Sequence, residues 1–128
     1  MNDRGAAGVL LVGVAALVLL LAASLGAVGA FLNVRVQVSA AADAAALAAA
    51  PVTFMPFGAT GTPTEEAARF AHLNGADLDS CLCPLDTSWE PRTVRVEVSR
   101  VVSIWPVGRI RVSAASRAEF VPALLLGG

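Results

Sequence analysis

The sequence predicts an α+β protein: a long N-terminal transmembrane α-helix with an alanine-rich extension, then a small head of one short helix and a three-stranded antiparallel sheet. Three observations carry this. No charged residue occurs from Gly5 to Val34. The next segment, QVSAAADAAALAAA at 37–50, has nine alanines in fourteen positions, and alanine is the strongest helix former. Further on the hydrophobic period becomes two: Val94, Val96 and Val98 alternate with Thr93, Arg95, Glu97 and Ser99.

The first element is the apolar helix. Val9–Leu25 holds eleven Val or Leu side chains. On the membrane-insertion scale they favour the bilayer by roughly 3 to 7 kcal/mol. A span needs about 20 apolar residues. The uncharged run is longer, so its end near Phe31 and Leu32 emerges from the lipid. No proline interrupts residues 1–50, and one continuous helix leads from the span into the alanine-rich segment. The competing expectation is a secretory signal cleaved at VGA, 28–30, but signal cores run only about 7–15 residues. Within the span, Ala22, Gly26 and Ala30 form a small-xxx-small ladder, a spacing that lets membrane helices approach closely. Arg4 and the terminal amine against Arg35 tip the orientation toward a cytoplasmic N-terminus and an external head. The chain thus divides into an anchor at 1–32, a helical extension that packs on the head at 33–50, and a head at 51–128.

The head opens with PVTFMPFGATG, 51–61, a Pro- and Gly-rich connection whose Phe54, Met55 and Phe57 are expected to seal the core. A short helix follows. Thr62 is its N-cap, Pro63 its first residue, Glu65 completes a capping box, and Asn74-Gly75 stops it. Ala67, Phe70, Ala71 and Asn74 share one face. Three alternating runs come next. In the first, Leu78, Ser80 and Leu82 oppose Asp79, Cys81 and Cys83; the others are 93–99 and 109–114, joined through Val101–Gly108. Strands of this pattern form antiparallel sheets with one wet face. The long helix is available to cover the other.

Asp43 interrupts the alanine. At 100° per residue, Leu32, Val36, Ala40, Asp43, Leu47 and Ala50 fall within about 80° of one another. This face carries the bulky residues of the segment and is expected to pack on the sheet. A partly buried carboxylate there needs a partner. Arg95, Arg109, Arg111 and Arg117 are on offer; the alternative is a solvated Asp43 at the rim.

Little else suggests chemistry. His72 is the only histidine. Cys81 and Cys83 form CLC, which is neither a CxxC redox motif nor a zinc site. They are buried small hydrophobes, a local disulfide favoured if the head is external, or a bridge to another chain. No catalytic cluster, phosphate loop, metal site or cofactor motif is evident, and an enzyme is not expected. Seven arginines against eight acids after residue 50 leave no basic surplus for nucleic acid. Trp89 and Trp105 fall in loops, where packing is the default and interface anchoring is open to Trp105 beside Val101, Val102, Ile104 and Val107. The tail PALLLGG, 122–128, is too short to span a membrane.

The order of pieces resembles the TadE/TadG-like pseudopilins of tight-adherence (Flp-type) pilus systems, in the short TadE-like branch. The carrying residues are DRGAAG at 3–8 before the span, SAAADAAALAAA at 39–50, EAARFAHLNGADLDSC at 66–81, VRVEV at 94–98 and SAASRA at 113–118. The resemblance implies a membrane-anchored, pilin-like subunit with an external head. Its partners would be the lipid bilayer and other pilin-like subunits or pilus assembly proteins, with the N-terminal helix as a route to a homo-oligomer. The chain departs from the family at the prepilin peptidase site: Gly5 is followed five residues later by Leu10, and Asp43 is the first acid after Asp3. That leaves a minor or initiating component, or a resident membrane protein, as the roles. The alternative is a secreted small α+β binding module after signal cleavage near Ala30.

Overall fold

The computed structural model describes residues 3–54 and 61–127. Helix α1 runs from Asp3 to Val52, and its 50 residues extend about 75 Å at 1.5 Å each. Helix α2 (Pro63–Leu73), strands β1 (Asp77–Leu82), β2 (Arg92–Ile104) and β3 (Gly108–Phe120), and a 3-10 turn (Pro122–Leu126) follow. The sheet is an antiparallel meander in the order β1-β2-β3. The C-terminal half of α1 covers one face of it, and α2 packs against both α1 and β1.

The helix passes without a break through residue 30 and on to Val52, with Pro51 in its last turn. The expected connection therefore starts two residues late. Thr53 and Phe54 close the turn by donating backbone N–H groups to Ala50 and Pro51, and the Thr53 hydroxyl caps the Ala50 carbonyl at 2.6 Å. Phe54 is buried, as expected; Met55 and Phe57 lie outside the described residues.

Helix α2 is punctuated as its sequence requires. The Thr62 hydroxyl accepts the Glu65 N–H at 3.1 Å, and Glu65 Oε2 accepts the Thr62 N–H at 3.0 Å. At the other end the N–H groups of Gly75 and Ala76 bond the carbonyls of His72 and Ala71, a Schellman closure with Gly75 at φ +77°. Ala67 and Ala71 are buried, Phe70 is half-buried and Asn74 is exposed.

Three expectations are corrected. First, α1 does not pack on the sheet through its bulky face. Val38, Ala41, Ala42, Ala45, Ala46 and Ala49 are buried instead, in one cluster with Ala67 and Ala71 of α2, Val94, Val96 and Val98 of β2 and Val112 and Ala118 of β3. Leu47 and Val36 are 68% and 69% exposed. Methyl side chains let the helix axis come close to the sheet, and the valines of β2 fill the space between, so small residues give the denser interface.

Second, β1 does not alternate regularly. A bulge between Leu78 and Ser80 leaves Asp79 unpaired with β2, so Leu78 and Cys81 both lean on the core while Leu82 is exposed. The Ser99 hydroxyl donates to Asp79 Oδ1 at 2.9 Å and fixes the bulge.

Third, β2 and β3 are longer than the valine pattern marks, and only Trp105, Pro106 and Val107 join them. Pairing is unbroken from Arg92–Phe120 to Ile104–Gly108. Ala114, Ser116 and Ala118 continue the inward row of β3 with side chains too small to register as a hydrophobic run.

Candidate functional site

The outer face of α1 is the most extended unpartnered surface of the described chain. Helical geometry places Leu32, Val36, Asp43 and Leu47 on average about 150° from the buried side at Val38, Ala45 and Ala49. Residues Val14, Val18, Leu21 and Leu25 continue this stripe in the same direction down the apolar half of the helix, which is exposed on every side, Leu10, Leu11, Leu19 and Leu20 included. The segment from Gly5 onward is long and apolar enough to cross a membrane. Ser24, the one hydroxyl between Gly5 and Val38, donates to the Leu20 carbonyl at 2.8 Å, which satisfies it without water.

Of the residues singled out in the sequence, Ala22, Gly26 and Ala30 are all exposed, and an added Cβ at Gly26 would meet nothing within 4 Å. They occupy one flank of the stripe, available for close approach by another helix. Leu47 lies on the stripe itself. Asp43 lies there too, at the rim of the head. Among the described residues no arginine forms an ion pair with it; the Ser116 hydroxyl of β3 donates to its Oδ1. On the opposite flank Arg100 of β2 donates to Gln37 Oε1 at 3.0 Å. Two polar ties thus hold α1 to neighbouring strands on either side of the alanine contact. Arg35, Ser39 and Ala40 complete a shallow depression with Leu32, Val36 and Asp43 on the outer side.

Cys81 and Cys83 are joined in a disulfide, with their Cα atoms 5.4 Å apart. Of the readings open in the sequence, the local bridge is the one formed. Pro84 follows it at once, where β1 has ended.

No pattern of spacing singles out Arg92, yet it organises the loop between β1 and β2. Its guanidinium is buried and donates to the carbonyls of Asp86, Ser88 and Glu90. It also stands 3.8 Å from Asp86 Oδ2 and 5.5 Å from the centre of the Phe54 ring. Phe54 in turn meets Trp89 edge-on at 4.9 Å and Phe120 at 6.1 Å. This cluster closes the far end of the head. Hydrogen bonds from the Ser88 backbone and hydroxyl, helped by the Arg92 charge, hold the Asp86 carboxyl below the usual aspartate range. Three carbonyls converging on one arginine are invisible to spacing arguments, because the loop has no periodicity.

His72 is exposed on α2. Among the described residues no group of three or more His, Cys, Asp or Glu could hold a metal ion. The fold and this surface define a small α+β head carried on a helix whose bulky apolar side faces away from it. No protein-family model matches the chain, and no curated protein or solved structure matches it.

Proposed function

We propose that the protein is a non-enzymatic, membrane-anchored, pseudopilin-like (TadE-like) structural or assembly component of a tight-adherence pilus or related secretion apparatus. The supporting observation is the orientation of α1. Its head-bearing half buries alanines inward and turns Leu32, Val36 and Leu47 outward, in line with the membrane-length half. Such a stripe has no role in the stability of its own head. It suits a helix that meets lipid along one half and other helices along both. The internal disulfide fits an external head in an oxidising compartment.

The test is photo-crosslinking in intact cells from a benzophenone amino acid at Val36 or Leu47, with Thr93, exposed on the face of the sheet away from α1, as the control. The outward positions are expected to trap a second helix-bearing subunit and Thr93 is expected to trap none. Crosslinks absent from both outward positions would refute assembly through this face.

One observation favours the secreted alternative. The fully buried core begins at Val38, so cleavage near Ala30 would leave it intact. Intact mass of the native protein decides: loss of about thirty residues would remove the anchor and with it the pseudopilin reading.

A further inference from the structure

The β2–β3 hairpin does not end level with the rest of the head. Ile104 and Ile110 on its inward face and Val107 in its turn form an open cleft with Ala27, Val28 and Phe31 of α1. The hairpin therefore runs down the helix. Ser116 is level with Asp43, Arg100 with Gln37, and the turn with residues 27–31. The hairpin is inclined to the helix: nine strand residues from Ser116 to Val107 cover about 30 Å of strand, while sixteen helical residues from Asp43 to Ala27 cover about 24 Å of axis.

That level is informative. If the hydrocarbon layer takes about 20 residues of α1 from Ala6, it ends near Leu25. Ala27–Phe31 then lie about 3 to 9 Å beyond it, within the headgroup zone. At this height the hairpin presents Trp105, 79% exposed, and Val107, 66% exposed. Behind the turn, on the outward face of β3, stand Arg109 and Arg111 at i, i+2 spacing, both exposed. Between Glu97 and Glu119 the chain carries Arg100, Arg109, Arg111 and Arg117 and no acid, and Arg35 is the only charge on α1 between Gly5 and Ala42.

We infer that the β2–β3 hairpin tip is a second membrane contact, resting on the proposed anchor: Trp105 and Val107 seat in the interface of the leaflet nearest the head, and Arg109 and Arg111 meet anionic phospholipid headgroups. The aromatic ring has the amphipathic character that the interfacial zone selects. The cleft between hairpin and helix has an apolar lining that an acyl chain covers better than water. Each arginine near an anionic surface shifts such docking by about five-fold. Two contacts, one through the span and one through the tip, would fix the tilt of the head on the bilayer.

The experiment uses the full chain in nanodiscs at one copy each, with acyl-chain-brominated lipid of either anionic phosphatidylglycerol or zwitterionic phosphatidylcholine. Trp89→Phe leaves Trp105 as the sole reporter, and Trp105→Phe leaves Trp89. A third variant carries both changes plus Leu17→Trp, which reports the span. Trp105 is expected to be blue-shifted and quenched several-fold more than Trp89, and more in anionic than in zwitterionic lipid. Arg109→Gln with Arg111→Gln should abolish that lipid preference. Quenching at position 17 without quenching of Trp105 would overturn the inference and leave the anchor standing. Quenching at neither would overturn both. A blue shift of Trp105 without bromine quenching would mean that protein, such as a second copy, covers the tip, and would also overturn it.

Discussion

The Ser116 hydroxyl of β3 donates a hydrogen bond to the carboxylate of Asp43, seventy-three residues earlier in the C-terminal part of α1. One acid in a run of alanine thereby ties the helix to the edge strand of the sheet it covers. The bond to an ionised acceptor is stronger than a neutral one, but Asp43 is exposed and water competes for it. Asp43→Ala and Ser116→Ala should each destabilise the head by about 0.5–1 kcal/mol, and the double variant by no more than either alone. Thermal melts in detergent measure this; fully additive losses would show that the pair is not coupled.

The two sides of α1 should respond oppositely to volume. Ala45→Leu forces a larger side chain into the fully buried cluster that Ala45 shares with α2 and the sheet, and should cost about 1–3 kcal/mol or more. Leu47→Ala removes a side chain that touches little of the head and should change its stability by less than about 0.5 kcal/mol. Circular-dichroism melts compare the two. A large loss with Leu47→Ala would mean that the outer face supports the head after all.

Arg92 predicts a non-conservative Arg→Lys effect. A lysine ammonium cannot span the carbonyls of Asp86, Ser88 and Glu90 in one plane. Arg92→Lys is expected to cost about 2–3 kcal/mol, because the buried guanidinium's bonds to three part-buried carbonyls are lost. Trp89 fluorescence should shift red as the loop loosens, and unchanged emission with an unchanged melt would count against the clamp.

The same loop should be acid-sensitive. The Asp86 carboxyl is held low chiefly by the Ser88 N–H at 2.8 Å. A lowered folded pKa means that the contribution is complete above the unfolded value of about 3.9 and is lost as pH falls through the folded value. Titrating from neutral to pH 2 should leave Trp89 emission flat until below that range and then change it. Asp86→Asn should remove this step, and a step that survived the substitution would have to be assigned to another group.

The disulfide closes a very short loop in an edge strand. Reduction should cost at most about 1.5 kcal/mol, since little chain entropy is restored to the unfolded state. A thiol-reactivity assay should detect Cys81 and Cys83 only after reductant, and labelling beforehand would contradict the bridge.

Much of the architecture is local and could be read directly. The uncharged run and the absence of proline make α1 continuous; Thr62, Pro63, Glu65 and Gly75 delimit α2; alternating valines mark β2. These are one-dimensional signals, because backbone hydrogen bonding, capping and side-chain alternation are settled within a few residues.

What the tertiary structure alone decided is which surfaces meet. Hydrophobic size pointed to the Leu47 face of α1, but distance of approach decided for the alanine face. An arginine was sought for Asp43, and the meander instead brought Ser116. Arg92 gained its role because β2 begins beneath a loop that folds back over it. The hairpin turn came to the level of Phe31 because β2 and β3 outlast their hydrophobic pattern. Each of these depends on the spacing between elements far apart in the chain, and packing in three dimensions sets that spacing where residue order cannot.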